Sequence, residues 1–227
     1  MASEQSQPEA RDVQDQAAGD VAAGEQPVGV QKARSLRRRK EIVEAAMTTF
    51  ANRGFYNSSL AEIADEVGIS AAGILHHFKT KDQLLTEVLR TRDMVDIEEA
   101  AHGRELVGLE FLRHLVDTAA LNSTRPGITQ LYAVMSAESV TTDHPAQEWF
   151  RGRYVGLREM VQKALAQARD IGELRDDADV AETAIAIIAV MDGLQVQWLL
   201  DPETVDMAAV THRTIDALVA SLAPEED

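Results

Sequence analysis

The sequence predicts an all-α protein: an N-terminal three-helix unit followed by a larger helical body, about nine helices in all. Three observations carry this. Apolar residues recur at steps of three and four almost continuously from Glu41 onward. No run of alternating β-branched residues is available to build a strand. Gly, Pro, Ser and Asp fall between the periodic stretches, where helices start and stop. With 227 residues, 45% of them hydrophobic, the chain can bury a substantial core.

Residues 1–30 are rich in Ala, Gln, Glu, Asp and Gly and contain no aromatic residue. They cannot bury enough apolar surface to offset chain entropy and read as a disordered acidic tail. The stretch 32–40, KARSLRRRK, follows as a basic arm. Helix 1 is expected over about 36–53, with Ile42, Ala46 and Phe50 on one face and Gly54 past its end. Helix 2 opens at Ser59, with Glu62 placed for a capping box. Its apolar face is Leu60, Ile63, Ala64 and Val67, and Gly68 ends it. Ser70 caps a short helix over 71–77. The next helix starts after Thr80 and buries Leu84, Leu85, Val88 and Leu89.

Five more helices complete the body. They are expected over about 107–122, 126–140, 145–171, 179–200 and 202–222. The third carries Phe150, Tyr154, Leu157, Val161, Ala164, Ala168 and Ile171 as an a/d stripe. The fourth is apolar on more than one face, as a helix buried on several sides would be. Asp201-Pro202 is expected to cap and open the last. The chain thus divides into a tail (1–30), a head (31–92) and a body (93–227).

Cysteine is absent, which removes disulfides, thiolate nucleophiles and Cys-ligated metal, and fits a reducing cytoplasm. The start of the chain holds no apolar secretory stretch, and the longest apolar run, 184–191, is far shorter than the ~18 residues of a bilayer span. Net charge is −16, but it is unevenly placed: −5 over 1–30, +4 over 31–92 and −15 over 93–227. One basic segment between acidic ones suggests a polyanion-binding module on an acidic trunk.

The informative stretch is 58–85, SSLAEIADEVGISAAGILHHFKTKDQLL. Helix, Gly-containing turn, short helix and a further capped helix form a helix-turn-helix. Such a unit presents a short helix to a major groove while the helix before it crosses the DNA backbone. Ala71, Ala72 and Gly73 open that short helix; their small side chains admit close approach, and Ala can touch a thymine methyl. They equally suit a small-residue helix start with no contact. His76 and DNA shape must then carry more of the readout. Ser58 and Ser59 could donate to phosphate, although Ser59 also suits a pure cap. Lys81 begins a helix, which attracts phosphate by itself. Arg34, Arg37, Arg38, Arg39 and Lys40 are either a solvated charge run or, beside this motif, a flexible arm following the DNA backbone or minor groove.

Arg53-Gly54-Phe55, Leu60…Ile63-Ala64…Val67-Gly68-Ile69-Ser70 and His77-Phe78-Lys79-Thr80-Lys81…Leu84 resemble the TetR family of transcriptional regulators over about 37–92. The resemblance implies a homodimer on a pseudo-palindromic operator and release by a small-molecule effector. It implies phosphate contacts at His77 and Lys81. Where the family usually carries a Tyr, this chain has Leu75, which cannot donate a hydrogen bond; His76 is the candidate replacement.

The last two helices are candidates for the dimer face, with His212 beside it. Effector-pocket candidates are Phe111, His114, Tyr132, Met135, Trp149, Tyr154, Met191, Asp192, Gln195 and Trp198; each also suits plain core packing. Asp192 is the sharpest, because a buried acid needs a partner. No cofactor or metal is expected. Glu99 and His102 give a single Glu-x-x-His where a di-metal bundle needs two and two further Glu, and no nucleophile elbow or phosphate-cradling loop is present. The alternative function is a helical small-molecule-binding protein without a regulatory DNA role.

Overall fold

The computed structural model describes residues 28–100 and 106–224; of residue 28 and residues 92–100 it gives only the helical backbone. Most of the tail, and the side chains of Glu99 and His102, lie outside the described residues. Within them the chain is all helix, nine in number: α1 (Val28–Arg53), α2 (Leu60–Val67), α3 (Ala71–His77), α4 (Lys81–Ala100), α5 (Leu109–Ser123), α6 (Pro126–Glu138), α7 (Gln147–Asp170), α8 (Val180–Leu200) and α9 (Met207–Ser221).

Local chemistry sets the head. The Glu62 N–H donates to Ser59 Oγ and the Ser59 N–H to Glu62 Oε2, closing the capping box of α2. Gly68 ends α2 in the left-handed region at φ 71°. The Gly73 N–H donates to Ser70 Oγ and so starts α3. On α1, Ile42, Ala46 and Phe50 are fully buried, and they meet Ile63, Ile74, Leu84, Leu85 and Leu89 in one core. That core does not stop at the head. Leu131 and Met135 of α6, with Phe150 of α7, belong to it, because α1 packs along α6.

Three expectations change. The first helix starts earlier than position 36: α1 begins at Val28, so the whole basic arm, 32–40, is helical. Exposed pairs Arg37–Glu41 at 3.0 Å and Lys40–Glu44 at 3.6 Å support these turns. The last helix starts at Met207, not after Asp201; Asp201 Oδ1 accepts the Thr204 N–H in a single turn, and Asp206 Oδ1 accepts the Ala209 N–H as the true cap. Finally, α8 is long and apolar enough to cross a bilayer, yet it is a middle helix of the body, packed on α6, α7 and α9. It is buried on one side only. Ile185, Val196 and Leu200 of its opposite side are exposed.

Candidate DNA-reading head and body cavity

α3 lies on the surface of the head. Ile74 is its one fully buried residue and anchors it; Ala72, Leu75 and His76 face solvent, with Leu75 40% exposed. Two arginines of α1 hold the motif from behind. Arg38 Nη1 donates to the Val67 carbonyl at 3.1 Å, and Arg39 Nη1 donates to the His77 carbonyl at 3.0 Å. These are the last carbonyls of α2 and α3, which no residue of either helix can satisfy. Arg39 also lies 4.1 Å over the Phe78 ring and 3.2 Å from Glu87. Two of the five arm residues therefore brace the motif, Arg38 at the end of α2 and Arg39 at the end of the recognition helix. No signal in a run of basic residues separates such caps from phosphate contacts.

The other expected contacts divide by where their protons go. Ser59 Oγ accepts from Glu62, so its own proton remains available to a phosphate. Ser58 is buried and its hydroxyl donates to the Phe55 carbonyl at 2.7 Å, which removes it from the DNA face. Lys81 donates its ammonium to the carbonyls of Phe55 and Ser58, so it holds the α1–α2 loop rather than standing free at the start of α4. Burial holds that ammonium below its usual range, against the pull of Asp82, Glu138 and Glu62. His77 is likewise held below its ordinary value, first by burial and then by His76, Arg39 and Arg38.

In the body a cavity of about 780 Å³ lies among α5, α6, α7 and α8. Of the ten residues singled out in the sequence, Phe111, His114, Tyr132, Tyr154, Asp192 and Gln195 line it. Met135 and Trp149 belong instead to the head core, with Met135 fully buried, while Met191 and Trp198 pack into the two cores of the body. In the middle of the α7 stripe, Leu157 faces the cavity, and Tyr154 lines it while packing against the head core.

At its centre the Tyr154 hydroxyl donates to Asp192 Oδ2 at 2.7 Å. Burial pushes the Asp192 acid above its ordinary range, opposed by that bond and by Arg153. The Tyr154 phenol is pushed up to about 12, by burial and then by Asp192. Arg153 lies 4.6 Å over the Tyr132 ring and also lines the space. Sequence reading passed over Arg153, Lys163 and Gln167, and also Gly152, Gly156 and Gly193. The glycines did leave a signal: Gly inside a helix costs about 1 kcal/mol against Ala. Here a Cβ at any of the three would meet open space.

One chain thus carries an exposed, back-braced recognition helix and a helical body with a cavity, the arrangement of a DNA-binding regulator. The comparisons agree. Residues 42–88 match the model for bacterial regulatory proteins of the tetR family, and residues 110–224 match that for the C-terminal part of BetI-type transcriptional repressors. The regulator TtgR of Pseudomonas putida is 25% identical over 194 residues, covering 82% of this chain and 91% of that protein. Two solved structures share the fold. SmeT, the repressor of a Stenotrophomonas maltophilia multidrug efflux pump, has TM-score 0.68 and 20% identity over 82% of this chain and 91% of its own. FadR of Bacillus subtilis, in complex with stearoyl-CoA, has TM-score 0.68 and 17% identity over 81% and 98%. The chain belongs to the TetR family of bacterial regulatory proteins, with the C-terminal part of a BetI-type transcriptional repressor.

Proposed function

We propose that this repressor binds a pseudo-palindromic operator as a homodimer and leaves it when an amphipathic effector fills the cavity beside Asp192 and Tyr154. The observation that carries the reading is α3: seven residues held by one buried side chain and the Arg39 cap, with Ala72, Leu75 and His76 turned outward. His76 reads a base edge, and Ala71, Ala72, Gly73 and Leu75 make close apolar contact. Phosphates fall to Ser59, His77, Arg37 and Lys40, while Arg38, Arg39, Ser58 and Lys81 shape the motif. One head makes few contacts, so two copies spaced by one turn of DNA supply the affinity. The exposed apolar side of α8 suits the second copy, with α9 and His212, 3.3 Å from Asp216, at its rim. The protein acts in the cytoplasm by binding, with no catalytic step, and the head (31–92) and body (93–227) are its working units. The stearoyl-CoA bound by FadR makes a large amphipathic effector a reasonable class to test first.

The test uses duplexes selected from a random pool by the full chain, read by anisotropy. Affinity should fall steeply with salt, as released counterions require. His76→Ala should change the preferred sequence, whereas Lys40→Ala should weaken all duplexes alike. Selection of no duplex at low salt would overturn the DNA reading and leave the helical binding-protein alternative.

A further inference from the structure

The head meets the body at a knot of side chains that neither α3 nor the cavity accounts for. α6 has two faces. One lines the cavity with Tyr132, Ala133 and Ser136; the other puts Leu131 and Met135 into the head core. At its end, Glu138 reaches the loop after α1, and the Phe55 N–H donates to Glu138 Oε2 at 2.7 Å. Gly54 makes room for it: a Cβ there would lie 1.9 Å from Glu138 Oε1. Lys81 grips the same loop from the other side, its ammonium on the Phe55 and Ser58 carbonyls and 4.4 Å from the Phe55 ring centroid.

A second group competes for Glu138. The side chain of His144, in the turn between α6 and α7, is fully buried. Its ring meets those of Phe55 and Tyr56 edge-on, with centroids 5.4 Å apart in each case. The Ala146 N–H donates to Nδ1 at 3.2 Å, which leaves the ring's own N–H at Nε2. Nε2 is buried without a hydrogen-bond partner and lies 3.6 Å from the same Oε2 that holds Phe55. That gap is too long for a hydrogen bond, and a shift on the order of 1 Å would close it. One acceptor thus faces two donors, only one of which it satisfies.

We propose that Glu138 is the positioning residue that carries cavity occupancy to the DNA head, by exchanging its hydrogen bond between the Phe55 amide and the His144 ring. The proposal rests on reading the cavity as the effector site. In the arrangement seen, Glu138 ties the α1–α2 loop and so fixes the capped start of α2. A molecule pressing on Tyr132, Ala133 and Ser136 shifts α6, which is a common wall of the cavity and the head core. The carboxylate then passes to His144 and the loop is released. Closely packed elements respond to such small shifts by switching between discrete arrangements rather than by bending.

Hydrogen exchange of the full chain, without DNA, tests this at residues 54–60 using Glu138→Ala, Glu138→Gln and His144→Phe. Loss of a charged acceptor should speed exchange there about tenfold or more. Glu138→Gln, whose amide oxygen still accepts, should fall between. His144→Phe keeps the ring packing but has no competing donor, and should leave 54–60 at least as protected as in the wild type. Gly156→Trp sends an indole into the cavity as a built-in occupant; it should speed exchange at 54–60, and His144→Phe should abolish that rise. A merely structural Glu138 would loosen α5–α9 as well, and that result overturns the proposal. So does unchanged exchange at 54–60 in the Glu138 variants or in Gly156→Trp, or faster exchange in His144→Phe. Because no DNA is present, failure to bind duplexes would count against the regulator reading alone.

Discussion

Arg39 offers the sharpest perturbation, since charge and geometry make opposite predictions for it. As a phosphate contact its charge would matter; as a cap its planar fork would. Arg39→Ala removes a charge-assisted bond to the His77 carbonyl at 3.0 Å, worth about 1.5–3 kcal/mol in general. It also removes a guanidinium stacked 4.1 Å over Phe78, worth about 0.5–1 kcal/mol at an exposed site. The ion pair with Glu87 adds little, because that carboxylate keeps Arg90. With 37% of the side chain exposed, water recovers part of the loss, and about 2 kcal/mol remains. For a chain of this size that is about 4–8 °C in Tm. Urea titration, melting and duplex anisotropy over a salt series would be measured together on Arg39→Ala and Arg39→Lys. A cap predicts that Lys, which keeps charge but cannot fork, loses most of the stability, and that the salt slope of DNA binding is unchanged. A slope lower by about one in Arg39→Ala, with Arg39→Lys behaving as wild type, would refute the cap and restore the phosphate contact.

Three further outcomes are expected. Gly54→Ala should cost about 2–4 kcal/mol, since φ is 75° and the new Cβ displaces Glu138 from Phe55; a urea midpoint within 0.5 kcal/mol of wild type, by the usual linear extrapolation, would contradict it. Gly156→Ala should gain about 0.5–1 kcal/mol, because its Cβ meets nothing within 4 Å; a fall in Tm would show that α7 needs that gap for more than cavity room. Asp192→Asn tests the buried acid through pH. The folded chain holds the Asp192 proton above the ordinary value of 3.8, so the wild type loses stability as pH rises from there into the raised range. The Asn variant lacks that proton and should gain on the wild type over the same rise. Parallel stability curves from about pH 4 to pH 7 would mean that Asp192 is well solvated.

Much of the head was legible because its signals are local. Ser59 with Glu62, Gly68 and Ser70 act within four residues of themselves, so the sequence places them without knowing the fold. The same holds for the spacing that buries Ile42, Ala46 and Phe50. The pocket was half legible. An acid inside an apolar helix marks Asp192, but Met135 and Trp149 look the same in sequence as Tyr132, and of the three only Tyr132 reaches from the head core to the cavity.

Sequence by itself therefore determined the helices, the caps of α2 and α3, the outward recognition helix and the family, because each rests on periodicity or on a bond between near neighbours. Tertiary structure alone decided what long-range approach decides. Arg39 meets His77 across 38 residues and Glu138 meets Phe55 across 83. The first turns a basic run into a brace, and the second joins the cavity wall to the DNA head. A charged side chain is written the same way whether it faces water, a phosphate or a carbonyl, and only the packing of α1 against α2, α4 and α6 selects among them.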